Sequence, residues 1–348
     1  MKHLRFLAVL AAMMIVVSAC TGTGSSPSAG DQSEAPASEA ASDPDELIIG
    51  FVPSSEAGQL VEDIEPLAEY LTQELGITVT GTVTNDYTGL VTAMQTGQAH
   101  IGALPPYGLL QAVEQAEAEI ILQSERFGSG TYHTQFFTND PDTFCSDDPV
   151  ENTRVNSDGE ELTFLNCNGT DRANDETPEG PIGLEALDAL EPGATVAFVE
   201  QTSASGYIFP ATVFLGQEID PETDIEPTFA GTGGIGHPGA VDAVCRGDAV
   251  IGVSFDDART VTTSECDIAS NVVVFAYGPE IPNDGVAVSG ELSDDLQQRV
   301  KDALMAFAET EEGAEVLDSI YQITAFTEPN LEALELVRQA VDELGYEG

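Results

Sequence analysis

"NDYTGLVTAMQTGQAHIGALPPYGLLQA", residues 85–112, holds a helix, a strand and the start of a second helix in one run. Residues 87–96 read as a helix closed by Gly97, a residue tolerant of the left-handed turn that ends helices. Residues 100–104 are a short apolar run, the pattern of a buried strand. Pro105 and Pro106 then open the next helix, at a position where a missing N–H is no loss. The alternation continues outward. Residues 47–52 and 77–84 read as strands flanking a helix over 57–75, in which Leu60, Ile64, Leu67, Leu71 and Leu75 keep helical spacing. A further strand is predicted over 119–123. Strands alternating with helices predict an α/β fold with mostly parallel sheets covered on both faces.

Residues 131–138 are extended and read as a crossing between two lobes. The segment 139–180 breaks the pattern, being polar and rich in Asp and Asn, and is expected to be a disulfide-stapled surface insertion. Within it, "NSDGE" (156–160) tempts a calcium-loop reading. That register puts Arg154 at the first ligand position and Leu165 at the last, so a plain turn is expected. Helices then follow over 184–190, 206–215 and 237–246, with strands over 195–199, 224–230 and 249–255. An extended run at 271–277 is the expected return crossing, and 293–309, 312–319 and 330–344 are C-terminal helices. The expected organisation is a first lobe from 47–134, a second from 135–270, and a return to the first over 271–348. Two α/β lobes on a hinge of two crossing strands imply a binding protein with its ligand between the lobes.

The bulk numbers restrict the function. The chain has 348 residues and a formal charge of −51. Lys2 and Arg5 belong to the N-terminal leader, and beyond it Lys301 is the sole lysine. Such a surface repels nucleic acid and anionic membrane, and it suits solubility in high salt. Residues 1–20 read as a secretion signal: Lys2, His3 and Arg5, an apolar core, then Val-Ser-Ala-Cys ending at Cys20. That ending resembles the bacterial lipobox, in which the cysteine is lipidated; the alternative is a plain signal peptide. Residues 21–46 are Ser, Ala, Gly, Pro, Thr and acids, the composition of a flexible linker. The expected address is therefore extracytoplasmic, tethered by lipid on Cys20 to the outer face of the cytoplasmic membrane. Four cysteines remain, which suits two disulfides in an exported protein although three pairings exist. The sequential pairing, Cys145 with Cys167 and Cys245 with Cys266, is expected because each closes one local loop. A zinc site is the competing reading, but no Cys-x-x-Cys pair supports it and no metal is expected.

A second stretch, "VEQTSASGYIFPATVFLG" (199–216), carries the chemistry. Thr202, Ser203 and Ser205 stand where a helix begins, with Gly206 beside them. A helix N-terminus has unpaired N–H groups and roughly half a positive elementary charge. One hydroxyl suffices for a cap. Several converging N–H and O–H donors, with a glycine admitting a ligand to the backbone, also suit a tetrahedral oxyanion.

Four stretches resemble the phosphonate, phosphite and phosphate substrate-binding proteins of ABC transporters. They are the opening run, "TSASGYIFP", "GIGHPGAVDAVCRGDAVIGVSFDD" and "PEIPNDGVAV", in the family's order across residues 47–344 apart from the insertion. The resemblance implies a type II periplasmic-binding-protein-like fold and a lipoprotein that captures a phosphorus oxyanion for an importer's permease and ATPase. It implies a monomer without cofactor. Ser203, Ser205 and the backbone at Gly206 would hold the oxyanion, joined by Tyr87 from the other lobe and by His237. Asp256 and Asp284 match acids that meet an ammonium in aminophosphonate-binding members. Two departures bear on the ligand: Ala204 replaces the turn's middle hydroxyl, and Leu109 stands at a family tyrosine, with Tyr107 two positions earlier as a substitute.

Each residue has a plainer alternative. His237 can cap its helix, Tyr87 can pack, and Asp256 and Asp257 can belong to the acidic coat. Tyr207 and Phe209 are expected to be helix packing. A Ser/His hydrolase is the enzymatic alternative, but no Gly-x-Ser-x-Gly elbow is present, and no enzyme is expected. A ligand-sensing lipoprotein of the same fold is the other alternative. High salt reconciles acid surface with anion ligand. The Debye length falls to about 3 Å at molar salt, so distant carboxylates are screened and contact donors are not.

Overall fold

The computed structural model describes residues 43–55, 57–156, 159–170 and 180–345. The expected leader, Cys20, the linker up to residue 42, and parts of the 139–180 segment lie outside the described residues. The chain begins with β1 (Glu46–Phe51), α1 (Ala57–Leu75), β2 (Thr78–Val83), α2 (Tyr87–Gln95), β3 (Ile101–Leu104), α3 (Pro106–Ala116) and β4 (Glu119–Glu125). Then come β5 (Thr131–Thr138), α4 (Pro141–Phe144) and a hairpin, β6 (Val150–Val155) with β7 (Glu161–Asn166). β8 (Thr195–Phe198) leads to a π-turn (Ala204–Ile208) running into α5 (Phe209–Gly216), followed by β9 (Glu226–Phe229), α6 (His237–Cys245) and β10 (Ile251–Phe255). The chain finishes with α7 (Ile268–Asn271), β11 (Val273–Pro282), β12 (Gly285–Val288), α8 (Asp294–Ala308), α9 (Glu311–Tyr321), β13 (Ala325–Thr327) and α10 (Leu334–Glu343).

Apolar periodicity explains the elements that matter. The stripe Leu60, Ile64, Leu67, Leu71 and Leu75 of α1 is buried, and it packs with Leu47 and Ile49 of β1 and Leu296, Val300 and Leu304 of α8. Each such leucine contributes about 2 kcal/mol by leaving water. Asp86 caps α2 by accepting the Gly89 N–H at 2.6 Å, which fixes where Tyr87 enters the helix. The expected helix at 184–190 is a 3-10 turn, Leu184–Ala189.

The expectation of mostly parallel sheets is overturned. The strands form a six-stranded sheet, β13-β4-β12-β3-β1-β2, and a seven-stranded one, β6-β7-β11-β5-β10-β8-β9. β1 runs parallel to β2 and β3, but β12 is antiparallel to both β3 and β4, and β13 to β4. In the second sheet β5 is antiparallel to β10 and β11, while β8 is parallel to β10 and β9. The cause is local. A helical crossover returns the chain parallel to itself, but no helix separates β4 from β5 or β11 from β12. There the chain passes directly from one sheet to the other, and the strands reverse.

Those two passages lie side by side. β5 and β11 pair from Thr138 with Val273 to Thr131 with Pro282, so the chain leaves the first sheet at 126–130 and rejoins it at Asn283 and Asp284. The 139–180 segment is more than surface decoration. Its hairpin adds β6 and β7 to the edge of the second sheet beside β11. A disulfide joins Cys145 to Cys167 across that hairpin, and a second joins Cys245 to Cys266.

Candidate functional site

A cavity of about 600 Å³ is lined by Tyr87, Ser203, Ala204, Ser205, His237, Asp256 and Asp284 together. Both sheets contribute to it, with Val52, Ser54 and Leu104 on one side and His133 and Phe255 on the other. Thr202 and Tyr107 stand apart from it. Thr202 is half-buried in the turn before Ser203, and Tyr107 is buried in the apolar core of α3. Tyr207 and Phe209 are likewise core residues, the Tyr207 ring lying edge-on to Phe198 at 5.0 Å.

At the serine turn the hydroxyls divide their work. The Ser203 Oγ accepts the Gly206 N–H at 3.1 Å, so Ser203 is the cap. The Ser203 carbonyl receives N–H bonds from both Tyr207 and Ile208 at 3.0 Å, the wide winding of a π-turn. That winding leaves the Ser205 carbonyl to accept the Thr134 hydroxyl at 3.1 Å. The Ala204 amide, at the head of the turn, has no acceptor among the described residues, while the Ser205 backbone and side chain both engage the Tyr132 hydroxyl. Gly206 is needed for packing. A Cβ there would lie 2.5 Å from the Val199 Cβ, so glycine lets the turn rest on the end of β8.

Two neighbours complete this wall without formal charge. The buried Nδ1 of His237 lies 2.7 Å from the Ser254 hydroxyl; with serine donating, the ring proton sits on Nε2. Burial first, and the Arg126 cation second, hold this imidazole down to about 3, so it is neutral. The Tyr87 hydroxyl is buried without a hydrogen bond of normal geometry, and burial raises it well above the ordinary phenol range. Tyr132 also lines the cavity, pushed up to about 12 chiefly by burial, against the opposing hydrogen bond with Ser205.

A second wall, formed at the strand crossings and the end of β10, holds its charges in pairs. Arg126 clasps Asp284 with both terminal nitrogens, at 2.5 and 2.9 Å, while its Nε donates to the Tyr321 carbonyl at 2.6 Å. Asp256 accepts from Arg154 at 2.9 Å and from Gln135 at 2.7 Å. Behind it, fully buried Arg259 donates to Asp257 at 2.7 Å and to the carbonyls of Leu165 and Val272. Asp256 and Asp257 are therefore members of an ion-pair network, not of a solvated coat. Sequence reasoning missed Arg126, Arg154, Tyr132 and Tyr321. The one available signal was scarcity: a chain with so few cations places three arginines inside.

The two sides touch. The His237 amide donates to the Ser54 carbonyl at 3.0 Å, and the Ala57 amide to the Gly234 carbonyl at 3.1 Å. Gly236 sits between them at φ +69, and a Cβ on it would lie 2.3 Å from the Ser54 carbonyl oxygen. Glu200, at the end of β8, reaches across to accept the Tyr87 amide at 3.1 Å.

A family model described as "ABC transporter, phosphonate, periplasmic substrate-binding protein" matches residues 49–334. Among solved structures, a binding protein of an ABC phosphonate transporter from Pseudomonas aeruginosa is 18% identical with a TM-score of 0.65, covering 86% of each chain. PhnD1 from Prochlorococcus marinus, solved with methylphosphonate, is 14% identical with a TM-score of 0.66, covering 86% of this chain and 98% of its own. XAC2383 from Xanthomonas citri is 16% identical with a TM-score of 0.61, covering 87% and 99%. At these identities the structures share the fold.

Proposed function

The chain belongs to the periplasmic substrate-binding proteins of phosphonate ABC transporters, and on that premise we propose that the cavity at the serine turn is its ligand site. The protein captures a phosphorus oxyanion outside the cytoplasm for import; it is a solute-binding protein and not an enzyme. The observation that carries the site is the serine turn itself. The Ala204 amide is without an acceptor among the described residues, in a cavity that also holds Ser205, Tyr87 and His237. Converging neutral donors at a helix start suit a small tetrahedral oxyanion. Ala204 contributes its amide and no hydroxyl. The methylphosphonate held by PhnD1, a protein of the same fold, supports a small ligand.

In this reading the two sheets belong to lobes formed by residues 47–134 with 271–348 and by residues 135–270, which close on the ligand. The protein is a monomer tethered through lipid on Cys20 behind a cleaved signal, and its acidic surface serves solubility in concentrated salt. Thermal unfolding in molar salt with phosphate, phosphite, methylphosphonate and 2-aminoethylphosphonate tests the site. A ligand at a hundred times its Kd adds about 2.7 kcal/mol of stability. Ser205→Ala should weaken the ligand found by roughly tenfold with unchanged Tm of the free protein. Unchanged affinity would leave that serine a structural residue, and no shift with any ligand would sink the proposal.

A further inference from the structure

The two acids that would meet an ammonium in an aminophosphonate are each already held by an arginine. Asp284 is clasped by Arg126 through both oxygens, at 2.5 and 2.9 Å, with side chains only 16% and 18% exposed. Asp256 is held by Arg154 at 2.9 Å, where the arginine side chain is 4% exposed, and Gln135 also donates to it. An ammonium approaching either carboxylate also meets the guanidinium already paired with it, so the attraction it would gain is offset while its dehydration is not. Arg126 also retains capacity. Its Nε and one N–H on each terminal nitrogen are engaged, which leaves a second N–H on each terminal nitrogen.

We propose that this cavity selects phosphorus oxyanions whose substituent carries no ammonium, and that the Arg126–Asp284 pair is the specificity determinant. The inference rests on the oxyanion reading of the serine turn. The ligand's substituent is uncharged, as in alkylphosphonates, or absent, and it lies against a wall of carboxylates already paired with arginines. Arg126 offers that wall's remaining donors to oxygen and not to nitrogen.

Calorimetric titration in molar salt with propylphosphonate and its ammonium isostere, 2-aminoethylphosphonate, tests this, with methylphosphonate as reference. The expected result is at least tenfold weaker binding of the ammonium ligand. Arg126→Gln should move the ratio about tenfold toward 2-aminoethylphosphonate by exposing the Asp284 charge. The double variant Arg126→Gln, Asp284→Asn restores neutrality and should return to the parent's preference, which separates selectivity from damage to the fold. Equal or tighter binding of 2-aminoethylphosphonate by the parent overturns the inference alone. Failure of all three ligands, methylphosphonate included, overturns the oxyanion reading and the inference with it.

Discussion

The wall at the serine turn presents hydroxyls, amides and a neutral imidazole, whereas the wall at the strand crossings is made of carboxylates and guanidiniums bound to one another. At the first wall the Ala204 amide has no acceptor among the described residues. The second wall binds Asp256, Asp257 and Asp284 to arginines, while Asp63 and Asp318 also line the cavity. In the proposed reading an oxyanion entering between them gains hydrogen bonds on one side and meets carboxylates already held by arginines on the other. The difference predicts that the two walls fail differently: substitutions in the first should cost binding, and substitutions in the second should cost stability or, at Arg126, change selectivity.

Arg154→Met is the largest test of that contrast. It strips the partner from Asp256 and weakens the hold on Asp257, leaving carboxylates in a buried setting. Removing one member of a buried pair costs about 3–5 kcal/mol, here a fall of roughly 10 °C in Tm. Below that temperature the ligand should still bind. A variant that melts with the parent but binds poorly would place the ligand on the charged wall and reverse the roles.

Gly236→Ala tests the contact between the start of α6 and the segment after β1. The new Cβ would meet the Ser54 carbonyl and would also need φ +69, a region L-residues avoid by about 1–2 kcal/mol. The closed arrangement should be disfavoured and Kd raised about 100-fold. An unchanged Kd in calorimetry would mean that the ligand is held without this contact.

The two walls also differ in how far the sequence reveals them. The serine turn is a local pattern, with its cap, amides and following helix within a few residues, so Ser203 and Ser205 could be read directly. Even there Gly206 misled, because a glycine that packs on Val199 looks in sequence like one that admits a ligand. The charged wall has no local pattern. Arg154 and Asp256 lie 102 residues apart, and Arg154 sits in a polar segment that looked like a surface insertion. Strand direction was hidden for a similar reason. The apolar runs of β5 and β11 state that a strand exists, but only the missing helices at 126–130 and at Asn283 and Asp284 reveal its reversal.

The smallest effect concerns whether the serine-turn wall stays uncharged as pH rises. Glu200 lies beside it, with Oε2 accepting the Tyr87 amide and Oε1 buried without a partner among the described residues. Burial pushes this carboxyl from 4.5 up to about 7, with Asp86 adding to the rise and the Tyr87 N–H opposing it. A folded-state pKa above the unfolded one contributes stability that is full below about 4.5 and lost as pH rises through about 7. His237 runs the other way: lowered from 6.5 to about 3, it contributes stability that is full above 6.5 and lost as pH falls toward 3. Between 4.5 and 6.5 the two slopes oppose each other. Glu200→Gln removes only the first. The Tm of the variant minus that of the parent should therefore rise from pH 4.5 to about 7 and level off above, the other carboxylates cancelling in the difference. A difference flat across that window would mean that Glu200 ionises normally, putting a negative charge beside the Tyr87 amide and removing the neutrality on which the contrast between the walls depends.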